Sequence, residues 1–175
     1  MIDGSIHHGK FLSRTAPASP AARGITLLVA LLTLAFAGGC LIPPDKTLFT
    51  TTGPGWTVRQ GQAIWRPGRQ YPELAGEIVL AQNSNGCTSV QFTKTLLPVT
   101  LAQSTQTNWL IQFFPQRLGF GGRGRPPSRF IWLQLPAALA GQGLPAKLSF
   151  TRQADNGWRL ENEGTGEFVE GFLSP

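Results

Sequence analysis

The sequence predicts a mainly β (α+β) domain, a strongly curved antiparallel sheet with one short helical segment lying against its concave face. Three observations lead there. Over residues 56–175 apolar side chains mostly recur with a period of two. Turn signals such as Asn85-Gly86, Asp155-Asn156-Gly157 and Gly164-Thr165-Gly166 separate the short runs. One stretch, "PPSRFIWLQLPAALAGQGLP" (126–145), breaks the alternation.

The chain opens on something else. Residues 25–36 form a twelve-residue run without charge, preceded by Lys10, Arg14 and Arg23 and followed by Ala37, Gly38, Gly39 and Cys40. A membrane-spanning helix needs about 20 apolar residues, whereas about 7–15 suit the core of an export signal. Residues 1–39 therefore read as a signal peptide, although its leading part is unusually long and puts Met1 in question as the start. The Gly39-Cys40 end resembles the bacterial lipobox, in which the cysteine receives diacylglycerol before cleavage. Ala37 departs from the leucine commoner at the third position before the cut. Cys40 is thus the expected lipidation site and the first residue of the mature chain.

Removing such a signal takes away three of fifteen basic and one of nine acidic residues, both histidines and the single methionine. A net charge near +4 remains on residues 40–175. Without histidine, His-dependent triads, histidine general bases and His/Cys zinc sites are excluded. The chain does not read as an enzyme, and no metal or cofactor is expected. Residues 40–55, "CLIPPDKTLFTTTGPG", hold three prolines, two glycines and four threonines without periodicity, as suits a flexible tether behind a lipidated Cys40. A single domain follows over residues 56–175.

Its strands can be taken in turn. "AGEIVLAQNSNGCTSVQFTK" (75–94) forms a hairpin, and a two-residue Asn85-Gly86 turn would pair Ala81 with Val90 and Val79 with Phe92. "LPVTLAQ" sets Leu97, Val99 and Leu101 on one side, and "NWLIQFF" does the same for Trp109, Ile111 and Phe113. In "AKLSFTRQADNGWRLENE" a three-residue Asp155-Asn156-Gly157 loop with a left-handed Gly157 would pair Arg152 with Leu160. Leu148 and Phe150 then share a face with Trp158 and Leu160. "GEFVEGFL" closes the chain as a last strand. Between these groups Ser128 can cap a helix, Pro136 suits the first turn of another, and Gly141 can end it. One broken helix of about a dozen residues is expected, burying Phe130, Ile131, Leu135 and Leu139, with a strand through "RFIWLQL" as the alternative.

Such a sheet has an interior rich in aromatics, to which Trp56, Trp65, Phe92, Trp109, Phe113, Trp132, Phe150 and Trp158 belong. Side chains of this kind either fill a core or line a cavity for acyl chains. The charges carry less. Gly119, Gly121 and Gly124 satisfy G-x-G-x-x-G, but no strand-to-helix unit surrounds them and no acidic residue follows at the required spacing. Arg117, Arg123, Arg125 and Arg129 make an acid-free basic patch. After export, it reads either as a contact for anionic headgroups or an acidic partner, in place of nucleic acid, or as a solvated flexible loop with no partner. Glu161, Glu163, Glu167 and Glu170 could supply the carboxylate pair of a glycosidase, but on a turn-rich ribbon they read as a solvated outer face. Lys94 reads as a solvated edge lysine within reach of headgroups. Cys87 would be the one thiol left after lipidation of Cys40.

A lipobox cysteine, a Pro-rich tether and a Trp-rich meander broken by a helix bearing "WLQLP" and resumed as "LPAKLSF" and "GWRLENE" form a recognisable order. Over Trp56 to Pro175 it resembles the LolA and LolB group of periplasmic lipoprotein carriers and outer-membrane lipoprotein receptors, and their LolB-like relatives. The resemblance implies an incomplete β-barrel with a helical lid, whose apolar interior receives the acyl chains of a lipoprotein or lipid cargo, handed over by a periplasmic carrier protein. Trp65, Phe92, Trp109, Phe113, Trp132, Phe150 and Trp158 would line that interior. It also implies an exposed apolar side chain on a protruding loop. Leu118 and Phe120 in "QRLGFGGRGRPPSR" hold that place by position, with Arg123 and Arg125 beside them as membrane or partner contacts. Two or three acyl chains on Cys40 would hold the protein durably at a membrane surface. Leu41, in place of the aspartate that retains lipoproteins in the inner membrane, favours the outer membrane, facing the periplasm. The competing function is a structural or adaptor lipoprotein with a filled core that presents its basic loop to a partner.

Overall fold

The computed structural model describes residues 46–174, all of which fall in the unit spanning residues 40–175. The signal peptide, Cys40 and the start of the tether lie outside the described residues. Nine strands are seen: β1 (Trp56–Arg66), β2 (Leu74–Asn83), β3 (Thr88–Lys94), β4 (Leu97–Ser104), β5 (Asn108–Phe113), β6 (Leu118–Arg123), β7 (Leu148–Arg152), β8 (Gly157–Asn162) and β9 (Glu167–Ser174), with a helix α1 (Ile131–Leu139) between β6 and β7. All pairings are antiparallel, and the order across the sheet is β6-β5-β4-β3-β2-β1-β9-β8-β7, with β6 and β7 as free edges. The sheet, the helix and the core all lie within this one unit, so it carries what it needs to fold.

The contacts of α1 show how far the sheet curls. The helix touches β3, β4 and β5 on one side and β8 and β9 on the other. On a flat sheet β5 and β8 would stand roughly 29 Å apart, six spacings of about 4.8 Å, whereas a helix is only about 10–12 Å across. The strands therefore wrap around it. Of the nine residues of α1, Ile131 to Pro136 and Ala138 are buried, so the segment expected to bury one side is enclosed on nearly all sides and acts as a plug.

The helix is a single one with Pro136 inside it, not two. Phe130 occupies the N-cap with no side-chain hydrogen bond, so Ser128 does not cap it. Its end is as expected: Gly141, at φ 71°, donates to Ala138 O, and Gln142 donates to Ala137 O, the paired bonds of a Schellman ending.

Register differs from expectation in instructive ways. At β2–β3 the connection has four residues, Ser84 to Cys87, and the register pairs Ile78 with Phe92 and Leu80 with Val90. The Asn83 side chain accepts hydrogen bonds from Asn85 N (3.1 Å) and Cys87 N (2.9 Å) and so shapes the longer turn, with Gly86 left-handed. The one-residue slip exchanges the two faces, and Ile78, Leu80, Val90 and Phe92 all become fully buried. In β4 a bulge opposite Phe92 and Thr93 breaks the expected row of Leu97, Val99 and Leu101, turning Thr100 and Ala102 inward while Leu97 stands out in solvent. At β7–β8 Asp155 and Asn156, not Gly157, are left-handed, and Arg152 pairs with Trp158. That slip is two residues, so the predicted face is kept, and β5 presents Trp109, Ile111 and Phe113 as predicted.

Residues 46–55 form no strand or helix, yet they do not hang free of the sheet. Leu48 N donates to Gln103 Oε1 (2.8 Å) and Gln103 Nε2 donates to Phe49 O (3.0 Å), while the Phe49 ring stacks on Trp56 at 5.3 Å. Trp56 is thus spent on the outer face and not in the interior. On that same face Phe168 is buried between the guanidinium groups of Arg159 (3.8 Å to the ring centroid) and Arg66 (4.5 Å).

Candidate functional site

Strand alternation aims Trp65 of β1, Phe92 of β3 and Phe113 of β5 into the concavity, where α1 delivers Trp132 among them. Trp132 lies edge-on to Trp65 at 5.5 Å and tilted on Phe92 at 5.2 Å, while Trp65 stacks on Phe113 at 6.2 Å. A second group joins it through the helix N-terminus: Phe130 packs on Trp109 (5.6 Å) and on Phe120 (5.3 Å). Gly122, paired with Trp109, lets the indole lie flat, since a Cβ there would stand 3.0 Å from it.

The plug does not fill the whole interior. A cavity of about 520 Å³ opens where Trp65, Phe113 and Trp132 meet Tyr71, Pro72 and Leu74. Its lining is mostly apolar and includes Phe130, Ile131 and Leu118, with two charged side chains, Arg129 and Glu167. Another hollow of about 640 Å³, beside β1, β9 and the β7–β8 turn, is walled by Ala63, Gly76, Gly171 and several exposed polar groups. The aromatic cavity is the better site for an apolar ligand, because its walls offer large apolar faces and few competing polar atoms.

Of the seven aromatic residues predicted to line an apolar interior, Trp65, Phe113 and Trp132 do so. Phe92, Trp109, Phe150 and Trp158 do not reach this cavity; Phe92, Trp109 and Trp158 are core, and Phe150 packs half-buried against it. The predicted protruding loop is also corrected. Leu118, Phe120 and Arg123 belong to β6, an edge strand paired with β5, and Phe120 is half-buried beneath Arg129, whose guanidinium lies 5.7 Å from its ring. Arg125 alone of that group is in the loop, exposed after the left-handed Gly124. The physical reason is that glycine-rich "LGFGGR" pairs through its backbone, a signal that side chains do not carry.

The exposed apolar tip lies elsewhere. The two-residue turn between β3 and β4 is Thr95-Leu96, with φ of 50° and 67°, and Leu96 is 88% and Leu97 69% exposed. Such a turn calls for Asn-Gly; a leucine held left-handed costs about 1–2 kcal/mol. Strain and exposure coincide at this tip, next to the exposed Lys94, which makes it a candidate functional position. Replacing Thr95-Leu96 by Asn-Gly is expected to stabilise the fold by about 1–2 kcal/mol in urea unfolding while weakening co-sedimentation with vesicles.

Glu167 was read as part of a solvated acidic face. It begins β9, on the inner face with Val169, and accepts a hydrogen bond from Trp65 Nε1 (3.0 Å). Burial pushes its carboxyl up to about 7, against the downward pull of the Trp65 bond. The other acids go outward: Glu161 and Glu170 both bind Arg159, so the four carboxylates do not converge. The alternation Glu167, Val169, Gly171, Leu173 was the signal that could have placed Glu167 inside. Cys87, at the β2–β3 turn, is a half-buried free thiol. Compared with known proteins, the chain matches no family model and none of the curated sequences.

Proposed function

We propose that the protein is an envelope lipoprotein, anchored through Cys40 at the outer membrane facing the periplasm, that binds an acyl chain of a lipidated or lipid cargo in the aromatic cavity, in a LolB-like receptor or transfer role. The observation that carries this reading is the apolar cavity of about 520 Å³ left open beside the helix in the curved sheet. Its size falls in the range of about 300–1,000 Å³ typical of sites for drug-sized ligands. Burying each methylene of a chain there contributes about 0.8 kcal/mol. Lys94, Leu96 and Leu97 supply the second part, a tip of apolar side chains beside a cation that suits an anionic membrane surface.

The test uses residues 41–175 made by periplasmic expression and purified without detergent, with lipid extraction, mass spectrometry and displacement by a fluorescent fatty acyl probe. Stoichiometric acyl species displaced by the probe are expected. A ligand-free protein that ignores the probe overturns the reading in favour of an adaptor that presents Arg123 and Arg125 to a partner.

A further inference from the structure

The aromatic cavity holds an acid that forms no ion pair among the described residues; the cation beside it in the chain fold, Arg69, runs along Gly166 and donates to Glu163 O. Among the described residues the ion pairs are Arg66 with Glu73 and Arg159 with Glu161 and Glu170; none involves Glu167. Its one side-chain partner is the neutral Trp65 indole. Arg129 lines the same cavity but is exposed, and its guanidinium rests over Phe130 at 4.7 Å, facing those rings instead of the acid. Arg129 and Tyr71 are the other titratable side chains of the lining. Trp65, whose indole touches the Glu167 carboxylate, stacks on Phe113 and meets Trp132 edge-on, and all three rings share the cavity lining with the acid.

A carboxylate and aromatic rings lining one cavity are the standard chemistry for holding an organic cation. The rings attract positive charge through their faces, and the acid supplies a counter-ion where water is scarce. We propose that the cavity selects amphiphiles bearing an ammonium group, with Glu167 as the counter-ion and the Trp65, Phe113 and Trp132 rings holding the methylenes next to the nitrogen. The inference rests on the acyl-binding reading and adds the head-group class to it. A fatty-acid head would meet Glu167 as a like charge, and an alcohol would gain only a neutral hydrogen bond. A bound ammonium removes the burial penalty on the ionised acid, so ligand and proton compete for Glu167.

The test compares decylamine, decanol and decanoate by Trp fluorescence and calorimetry on residues 41–175 at about pH 8, above the value near 7 for Glu167. Ethanolamine serves as an ammonium without a chain. Decylamine is expected to bind at least about tenfold tighter than decanol, and decanoate more weakly than either. Glu167→Gln should bring the amine and alcohol to within about threefold of each other. In the unaltered protein, lowering the pH to about 5 should do the same, since the amine stays charged while Glu167 is neutralised. Equal binding of amine and alcohol at the higher pH, or a preference that survives both neutralisations, overturns the inference and leaves the acyl-binding reading standing. Ethanolamine binding as tightly as decylamine also overturns it, because the chain would then play no part. If none of the three decyl ligands binds, both readings fall.

Discussion

Truncating Trp132 to alanine is expected to lower the unfolding free energy by about 3–5 kcal/mol, the largest single effect in the molecule. The indole is 1% exposed and touches both Trp65 of β1 and Phe92 of β3, fixing the helix against the concave face. Its Nε1 has no hydrogen-bond partner, so the loss is one of packing with no polar bond to subtract. Urea unfolding followed by far-UV circular dichroism measures it, with Trp132→Phe as the companion variant that keeps most of the volume and should cost less than half as much. A loss below about 1 kcal/mol for the alanine variant would show that the helix is held by its other contacts. Because Trp132 also lines the cavity, the alanine variant should accept bulkier acyl ligands, and their addition should recover part of the lost stability by mass action.

Glu167 sets the second large expectation, an unusual pH dependence. Its carboxyl titrates at about 7 in the folded protein and near 4.5 when unfolded, so between these values the folded state binds more protons. Stability contributed by the neutral acid is complete below about pH 4.5, falls as the pH rises, and is gone above about 7. At roughly 1.4 kcal/mol per unit, discounted for partial exposure, the swing is about 2–3 kcal/mol. Urea unfolding at intervals between about pH 4 and 9 should show stability declining from about pH 4.5 and levelling off above about 7. Glu167→Gln, which keeps an acceptor for Trp65 Nε1, should flatten the curve and be the more stable form at the alkaline end. A curve that keeps its slope in the variant would assign the titration elsewhere.

Much of the architecture was legible because side-chain parity and turn chemistry agree over most strands. Trp109, Ile111 and Phe113 share a face in any register, and a two-residue slip at β7–β8 moves partners without moving faces. Legibility failed where one local group overrode the pattern. The Asn83 side chain lengthened the β2–β3 turn and exchanged the faces of β2, and the bulge in β4 kept Val99 buried while putting Thr100 and Ala102 in the inward row and Leu97 in solvent. β6 was missed for a different reason: strand pairing is a property of the backbone, and "LGFGGR" offers few side chains from which to read it. At the site, aromatic residues announced themselves by type, but only their three-dimensional meeting separates Trp65, Phe113 and Trp132, which line the cavity, from Phe92 and Trp158, which only pack. Leu96 was hidden because its turn uses residues that turn chemistry disfavours, and Glu167 because an acid in an acidic stretch looks solvated. In both places the sequence broke a local rule, which is why pattern reasoning passed over them.

The sheet stops at β6 on one side and β7 on the other, and the segment that runs between these two edges is the one carrying the helix. In a closed barrel the diameter is fixed by strand number and stagger, and widening it means breaking rungs of the ladder. Here the bore is set instead by how deeply one short rod sits. Gly124 on one approach and Gly141 on the other have φ of 78° and 71°, with open space where a side chain would be, and flank that rod like the two pins of a drawbridge. Displacing that rod would sacrifice apolar contact and the bond from Arg152 to Leu139 O but no interstrand bond, so the width of the opening is a matter of side-chain packing and not of ladder register.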